Sequence, residues 1–249
     1  MNKLKLIAFI FCMGVVSSAF AKDGYKIKLN LKNTKDTMLY LVHYFGEPLP
    51  KIYKADSARI NKKGEALLQK KDSLLGGIYM ILLSDRSAYF EFLLDRGADM
   101  TVSADMKDIP HSVKFTGSEE NTRFYQYVSF LKGFGEKQEG FKKELANART
   151  AKDTADIRVR AGEAAKELTR YRDDYIAKYP NTLLANIFNA VETVPVPEGK
   201  HYLPDGKEDS AFGYHYYKQH YWDRFNFKDD RLIHTPIYDT KLEEYINRL

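Results

Sequence analysis

Cysteine is almost absent from this sequence of 249 residues. The single one, Cys12, lies in an N-terminal segment with the features of a secretion signal, so the predicted mature chain has no thiol. Without a thiol, the mature chain forms no disulfide, carries out no thiol–disulfide exchange by itself, and offers neither a cysteine nucleophile nor a thiolate ligand for zinc. Its stability therefore has to come from packing.

The N-terminal segment has the three parts of a signal peptide. Lys3 and Lys5 precede an apolar run from Leu6 to Val16, and small residues lead to a cleavage site after Ala21. The apolar run is too short to cross a bilayer as a helix. We therefore expect residues 1–21 to be removed and the mature protein, which has no transmembrane span, to be periplasmic or secreted.

A strong charge of one sign is also absent. The formal net charge is only +5 at pH 7, and no basic cluster stands out. Proteins that bind nucleic acids typically carry such a cluster or stripe, so we expect no nucleic acid as a partner. Hydrophobic residues make up 44% of the sequence and aromatic residues 14%, which is enough for a packed core.

Residues 22–117 have the pattern of short β-strands separated by turns. Tyr25 to Leu31 alternates apolar and polar residues, as a half-buried strand does. Two continuous apolar runs, Ile78–Leu83 and Phe90–Leu94, are expected to be central strands. The other predicted strands are Met38–Phe45, Lys51–Ile60, Glu65–Gln69, Asp99–Ala104 and Ser112–Phe115. The pattern predicts an antiparallel β-sandwich or barrel.

Residues 118–249 have helical periodicity and are predicted to form a helical domain. The first helix begins either at Thr116, in a capping box with Glu119, or at Ser118. A glycine-containing joint, Gly133–Gly140, is expected to separate it from a second helix, and the two form a hairpin. Further helices are predicted at Thr182–Glu192 and Tyr238–Leu249; the last ends in mid-stripe, so we expect this domain to be truncated. The fold class is thus α+β, with a β-sandwich or barrel followed by a helical hairpin or bundle.

No catalytic, metal-binding or phosphate-binding motif stands out. His215 and His220 are five residues apart, whereas metal ligands on a helix are three or four apart. His43 is interpreted as a packed or partly exposed residue of a strand. Gly76-Gly77 precedes a strand rather than a helix, and no convincing Gly-x-Ser-x-Gly or Ser-x-x-Lys set is present. We therefore expect no enzyme activity, no metal and no cofactor.

The most unusual composition is an aromatic stretch from Phe212 to Phe227, which includes the only tryptophan. Tyrosine, tryptophan and arginine are typical anchors of protein interfaces because they bury a large area. Two interpretations remain open: a surface that binds a partner, or rings that close the helical core or dock it on the β-region. The core interpretation is favoured. The candidate interaction residues are Tyr214, Tyr217, Tyr221, Trp222, Arg224 and Phe225.

Short sequence segments in both halves are similar to those of a known protein family. The strand start Gly24–Ile27, the two apolar runs and the exit Phe115–Ser118 resemble the N-terminal β-rich domain of unknown function of exported thioredoxin-like proteins of Gram-negative bacteria. Residues Tyr221–Phe227 and Asp229–Leu232 resemble their second uncharacterised module, which is helical. In that family a thioredoxin domain with a Cys-x-x-Cys pair typically follows. This sequence has no such pair, so no catalytic residue of the family carries over.

The resemblance implies a non-catalytic accessory region of a periplasmic thioredoxin-like thiol–disulfide exchange protein. Its expected partner is another protein, a thioredoxin-like domain of its own parent protein, or a second copy of the chain. The alternative is a free-standing exported protein that binds a peptide, a glycan or an envelope component. A cysteine-independent hydrolase ranks last, because the sequence reveals no nucleophile and no acid–base pair.

Overall fold

The structure, a computed structural model, describes residues 24–46 and 51–249. The predicted signal peptide and its cleavage site lie outside these residues and stay predictions. The strands are β1 (Tyr25–Lys32), β2 (Met38–Tyr44), β3 (Ile52–Arg59), β4 (Glu65–Lys70), β5 (Gly77–Leu83), β6 (Tyr89–Leu94), β7 (Asp99–Asp105) and β8 (Lys114–Thr116). The helices are α1 (Glu119–Asn147), α2 (Ala151–Lys178), α3 (Leu183–Val191), α4 (Phe212–His220), a 3-10 helix (Asp230–His234) and α5 (Pro236–Arg248). The α+β class is confirmed.

The described strands form two four-stranded sheets that share one core. The first sheet has the order β4-β1-β7-β8, and the second has the order β3-β2-β5-β6. Of the two predicted architectures, the sandwich is therefore correct, and these strands close no barrel. Side chains of both inner faces meet in the first core, which includes Ile27, Leu29, Val102, Leu39, Ile81, Phe90 and Phe92.

Five of the six described strand pairs are antiparallel, as predicted, and one pair is parallel. β1 pairs with β7 in parallel, with Ile27 opposite Met100 and Leu29 opposite Val102. Both strands alternate buried and more exposed residues, and this register places the two buried sets side by side on the inner face. Because β2 to β6 lie between the two strands in the chain, the connection is long enough for a parallel pairing.

The two continuous apolar runs occupy different positions in the second sheet. β5 is central, as predicted, whereas β6 is an edge strand, so the prediction for β6 is wrong. The C-terminal half of its outer edge is covered by α1 instead of by another strand. The Asn121 carboxamide accepts a hydrogen bond from the Leu93 N–H and donates one to the Leu93 C=O, both at 2.7 Å. A helix can thus protect the edge of a sheet, which explains why so apolar a strand lies there.

The first two helices form the predicted hairpin, but the break lies later in the chain. Ser118 is the N-cap of α1, because its hydroxyl accepts a hydrogen bond from the Asn121 N–H. The expected joint at Gly133–Gly140 is wrong, since α1 continues through these glycines. A Cβ added at any of the three would meet no atom within 4 Å, so each of them has open space beside it. The actual break precedes Thr150, which begins α2 with a capping box to Asp153.

A second core joins the helices to the outer face of the second sheet. Phe188 of α3 is buried there, with its ring centroid 4.5 Å from that of Tyr127 and 5.3 Å from that of Tyr175. The sheet contributes Ile78 of β5 and Leu93 of β6 to the same cluster. The helical region therefore shares its core with the sandwich.

Candidate functional site

The six candidate interaction residues lie in one region of the chain but not on one surface. α4 carries Tyr214 and Tyr217, and the other four lie in the turns that follow it. Tyr221 and Phe225 are buried, with exposed fractions of 5% and 7%. The remaining four are more accessible: Tyr217 and Trp222 are partly buried, and Tyr214 and Arg224 are exposed. The structure thus places two of the six at buried positions and the other four at partly or fully exposed ones.

The two buried rings pack the segment after α4 against α5. The Tyr221 hydroxyl donates a hydrogen bond to Glu244 Oε2 at 2.8 Å, and Lys241 Nζ lies 3.9 Å from the centroid of the same ring. Burial raises the pKa of Tyr221 and lowers the pKa of Lys241. The ring of Phe225 lies 6.0 Å from that of Tyr238. These are the contacts of a packed core, the favoured interpretation of the aromatic stretch.

Three neighbouring rings form a partly exposed patch, which we call the aromatic surface: Trp222, Phe227 and Tyr245. The ring centroid of Trp222 lies 5.3 Å from that of Phe227 and 5.6 Å from that of Tyr245. Phe227 is 64% exposed. Adjacent large rings with one side open to solvent are typical of surfaces that bind a partner, because binding buries much apolar area at low conformational cost.

Sequence reasoning identified only one of these three rings as a candidate. Phe227 stands at the end of the aromatic stretch, and Tyr245 belongs to the apolar face of the last predicted helix. Their proximity to Trp222 depends on how α5 packs, which no spacing in the sequence indicates. Tyr214 is not part of the aromatic surface; its hydroxyl and the Lys218 ammonium both donate to the carbonyl oxygen of Leu249, directly after α5.

The 3-10 helix attaches the aromatic region to the sandwich through a close backbone contact. A Cβ added at Gly76 would lie 2.5 Å from Arg231 Cγ, and one added at Gly77 would lie 2.4 Å from His234 Cβ. Gly77 also has a φ of +153°, which L side chains rarely adopt. The glycine pair at the start of β5 is therefore required for the 3-10 helix to approach the sheet.

Arg231 forms ion pairs at the contact between the 3-10 helix and the sandwich, which we call the joint. Its guanidinium donates to both carboxylate oxygens of Asp229 at 2.8 Å each, and to Asp95, directly after β6, at 2.6 Å. The hydrogen bonds to Asp229 raise the pKa of Arg231. Asn186 of α3 donates to Asp229 at 2.5 Å. One network thus ties the 3-10 helix to α3 and to the end of β6.

Glu120 connects the first turn of α1 with the start of α3. Its carboxylate accepts a hydrogen bond from the Leu184 N–H at 2.8 Å, one of the donors that a helix N-terminus leaves without an intrahelical partner. Burial raises the pKa of Glu120, although the Leu184 N–H and the charge of Arg231 oppose this. Helix capping accounts for a partly buried carboxylate at this position.

Two histidines stack where the 3-10 helix meets the second sheet. The ring centroids of His43, on β2, and His234 are 4.0 Å apart. The Tyr79 hydroxyl lies 3.4 Å from His234 Nδ1 and donates to the Leu75 C=O at 2.7 Å. Burial and the neighbouring His43 lower the pKa of His234 to about 4, so its ring is neutral at pH 7. The stack contributes packing at the joint.

Two further findings concern residues 24–46 and 51–249. Within them, no group of three or more His, Cys, Asp or Glu side chains is placed to hold a metal ion. The structure puts His215 on an exposed part of α4, and His220 Nδ1 lies 2.6 Å from an Asp223 carboxylate oxygen. None of the helices in this part of the chain is long and apolar enough to span a membrane.

Two family models match separate parts of the chain. Residues 25–124 match the domain of unknown function DUF4369, and residues 185–249 match the domain of unknown function DUF5106. The first match includes the eight described strands and the start of α1, and the second extends from α3 through the aromatic surface to α5. A search of curated proteins finds no match. The chain thus contains two domains, and both are described as domains of unknown function.

Proposed function

We propose that this chain is a non-catalytic interaction region of a periplasmic thioredoxin-like thiol–disulfide exchange protein. The aromatic surface is the observation that carries the proposal, because Phe227 is 64% exposed beside two other large rings. The surface would contact a protein partner or the thioredoxin-like domain itself. The redox context comes from the resemblance of both halves to modules of exported thioredoxin-like proteins.

The non-catalytic part of the proposal is supported by the partners of three partly buried ionisable groups. Glu120 caps α3, Arg231 binds two aspartates, and His234 stacks on His43. The sequence contains no cysteine after Cys12, so a thiolate would have to come from another domain or protein. The chain would therefore position a redox partner rather than react.

Binding can be followed with the fluorescence of Trp222, the only tryptophan, which lies in the aromatic surface. The probe is an oxidised thioredoxin-like domain with its tryptophans replaced by phenylalanine, titrated into the chain without its signal peptide. We expect a saturable change that Phe227→Ser weakens about tenfold, which corresponds to about 1.4 kcal/mol. Val159→Ser is the matched control, because Val159 is 65% exposed on α2 and is not part of the aromatic surface. The absence of a saturable change would refute the thioredoxin partner.

The absence of catalysis has a separate test. Dithiothreitol reduces insulin slowly, and a thiol–disulfide oxidoreductase accelerates the appearance of turbidity. We expect the chain to leave this rate at the dithiothreitol background, because it has no cysteine to form the mixed disulfide. Acceleration above background would contradict the proposal.

A free-standing exported binding protein remains the second candidate, because the same open ring of Phe227 suits a peptide or a glycan as well. Panels of immobilised peptides and glycans distinguish the two candidates. Binding to one of these panels that is lost in Phe227→Ser, with no response to the thioredoxin-like domain, would favour the second candidate.

A further inference from the structure

A groove of about 480 Å³ runs along the N-terminal half of β6. Its lining includes six consecutive residues, Arg86 to Glu91, of which the last three belong to β6. Successive side chains of a strand point to opposite faces, so a lining that includes Tyr89, Phe90 and Glu91 in succession contains the main-chain edge of β6. The opposite wall consists of Ile109, Pro110, Phe124, Tyr125 and Val128, from the β7–β8 connection and α1.

The backbone groups along this edge alternate in direction. Ala88 is hydrogen-bonded to β5, and Leu93 is hydrogen-bonded to Asn121 on the outer side. In an antiparallel ladder, alternate residues face the neighbouring strand, so Tyr89 and Glu91 point their N–H and C=O groups away from β5. Within the described part of the chain, no strand lies on that side of β6.

The C-terminal half of the same edge shows which chemistry fits it. The Asn121 carboxamide takes the place of a peptide group and exchanges two 2.7 Å hydrogen bonds with Leu93. The Tyr125 hydroxyl then donates to the Glu91 C=O at 2.9 Å. This cover stops before Tyr89, whose side chain is 54% exposed. The remaining edge therefore offers main-chain donors and acceptors beside an apolar wall, which is the complement of an extended peptide.

We propose that this groove binds an extended peptide segment of a partner protein, which adds as a strand to the Tyr89 end of β6. The segment exchanges hydrogen bonds with the Tyr89 backbone and places an apolar side chain between Ile109, Phe124 and Val128. The volume is in the range of pockets that enclose a small ligand, so it accepts a short segment rather than a folded domain. None of these residues belongs to the aromatic surface, so the two sites can be tested independently.

The test starts from a displayed library of random linear peptides, selected on the chain without its signal peptide. We expect enriched peptides whose binding is weakened about tenfold or more by Tyr89→Pro, which removes the outward N–H and leaves the ladder to β5 intact. Val128→Glu is a second variant that keeps the main chain and places a charge in the groove. Its matched control is Leu67→Glu, an exposed apolar residue on the edge strand β4, which should leave binding unchanged.

Chemical changes in the peptide distinguish strand addition from other modes of binding. In an added strand every second N–H points toward β6, so methylation of alternate peptide nitrogens should abolish binding and methylation of those between should not. A failure to enrich any peptide would overturn the proposal. Unchanged affinity for both groove variants would overturn it, and so would tolerance of methylation at every position.

Discussion

The core between the two sheets and the core beneath the helices are closed in different ways. The inner faces of the strands supply the first core, in which Phe90 and Phe92 are buried. The second core needs side chains from outside its own region, namely Ile78 and Leu93 on the outer face of the second sheet. The sandwich therefore serves as a platform, whereas the helical region depends on that platform for its packing.

The largest expected effect comes from truncating one ring in each core. Phe92→Ala and Phe188→Ala should each cost about 3–5 kcal/mol of unfolding free energy, because both rings are buried. Phe92→Ala should shift the circular dichroism and Trp222 fluorescence transitions together, since the helices lose their platform. Phe188→Ala should lower the midpoint of the Trp222 fluorescence transition more than the midpoint of the circular dichroism transition. If Phe92→Ala left the Trp222 transition in place, the helical region would be independent.

A second prediction concerns the contact that covers β6. Asn121→Ala should cost about 2–4 kcal/mol, because it leaves the buried N–H and C=O of Leu93 without partners. Urea unfolding measures the loss, and hydrogen exchange of the Leu93 amide should accelerate. Gln126→Ala on the exposed face of α1 is the control and should stay within about 0.5 kcal/mol. An equal effect of both variants would mean that the edge contact contributes nothing.

A third prediction contrasts two glycines. Gly77→Ala should cost about 1–3 kcal/mol, because the new Cβ would meet His234 and adopt an unfavourable φ. Gly133→Ala should instead stabilise the chain by about 0.5–1 kcal/mol, since its position in α1 is open and alanine has the higher helix propensity. Calorimetric melting of the two variants should therefore give shifts of opposite sign.

The joint should also respond to pH through His234. Its pKa falls from an ordinary value of 6.5 to about 4 on folding, so the unfolded chain binds the proton more readily. Its contribution to stability is complete above pH 6.5 and is lost as the pH falls toward 4, by about 1–2 kcal/mol after solvent screening.

Urea unfolding across that pH range measures the effect. His234→Phe should flatten the profile, whereas His215→Phe, at an exposed position, should not. A profile that His234→Phe leaves unchanged would show that the stacked pair does not couple the joint to pH.

The smallest effect is expected on the exposed hairpin. Lys137 and Glu167 form an ion pair of 2.7 Å, but both side chains are about half exposed. Lys137→Ala should change the unfolding free energy by less than about 0.5 kcal/mol, because solvent screens such pairs. A larger loss in urea unfolding would indicate that the hairpin contributes more to stability than its surface position implies.

Local structure in this protein follows from side-chain periodicity. The alternation in Tyr25–Lys32 identifies β1, and the hydroxyl of Ser118 marks the start of α1, because these signals depend on residues a few positions apart. The glycines of α1 misled the prediction of its end, since a helix tolerates glycine where its other faces are held by packing. The burial of Tyr221 and Phe225 could not be predicted, because large aromatic side chains are suited to a core and to an interface equally well.

The sequence by itself determined the α+β class, the eight described strands, the helices α1, α2, α3 and α5, and the absence of a thiol after Cys12, but it indicated neither α4 nor the 3-10 helix. Only the tertiary structure decided that β6 is an edge strand bonded to Asn121, that His43 stacks on His234, and that the ring of Trp222 lies beside that of Tyr245. The physical reason is that periodicity records which face of an element is apolar, but not which distant element covers that face. The groove beside Tyr89 is also a feature that only the tertiary structure decides, because it exists only where α1 leaves part of an edge strand uncovered.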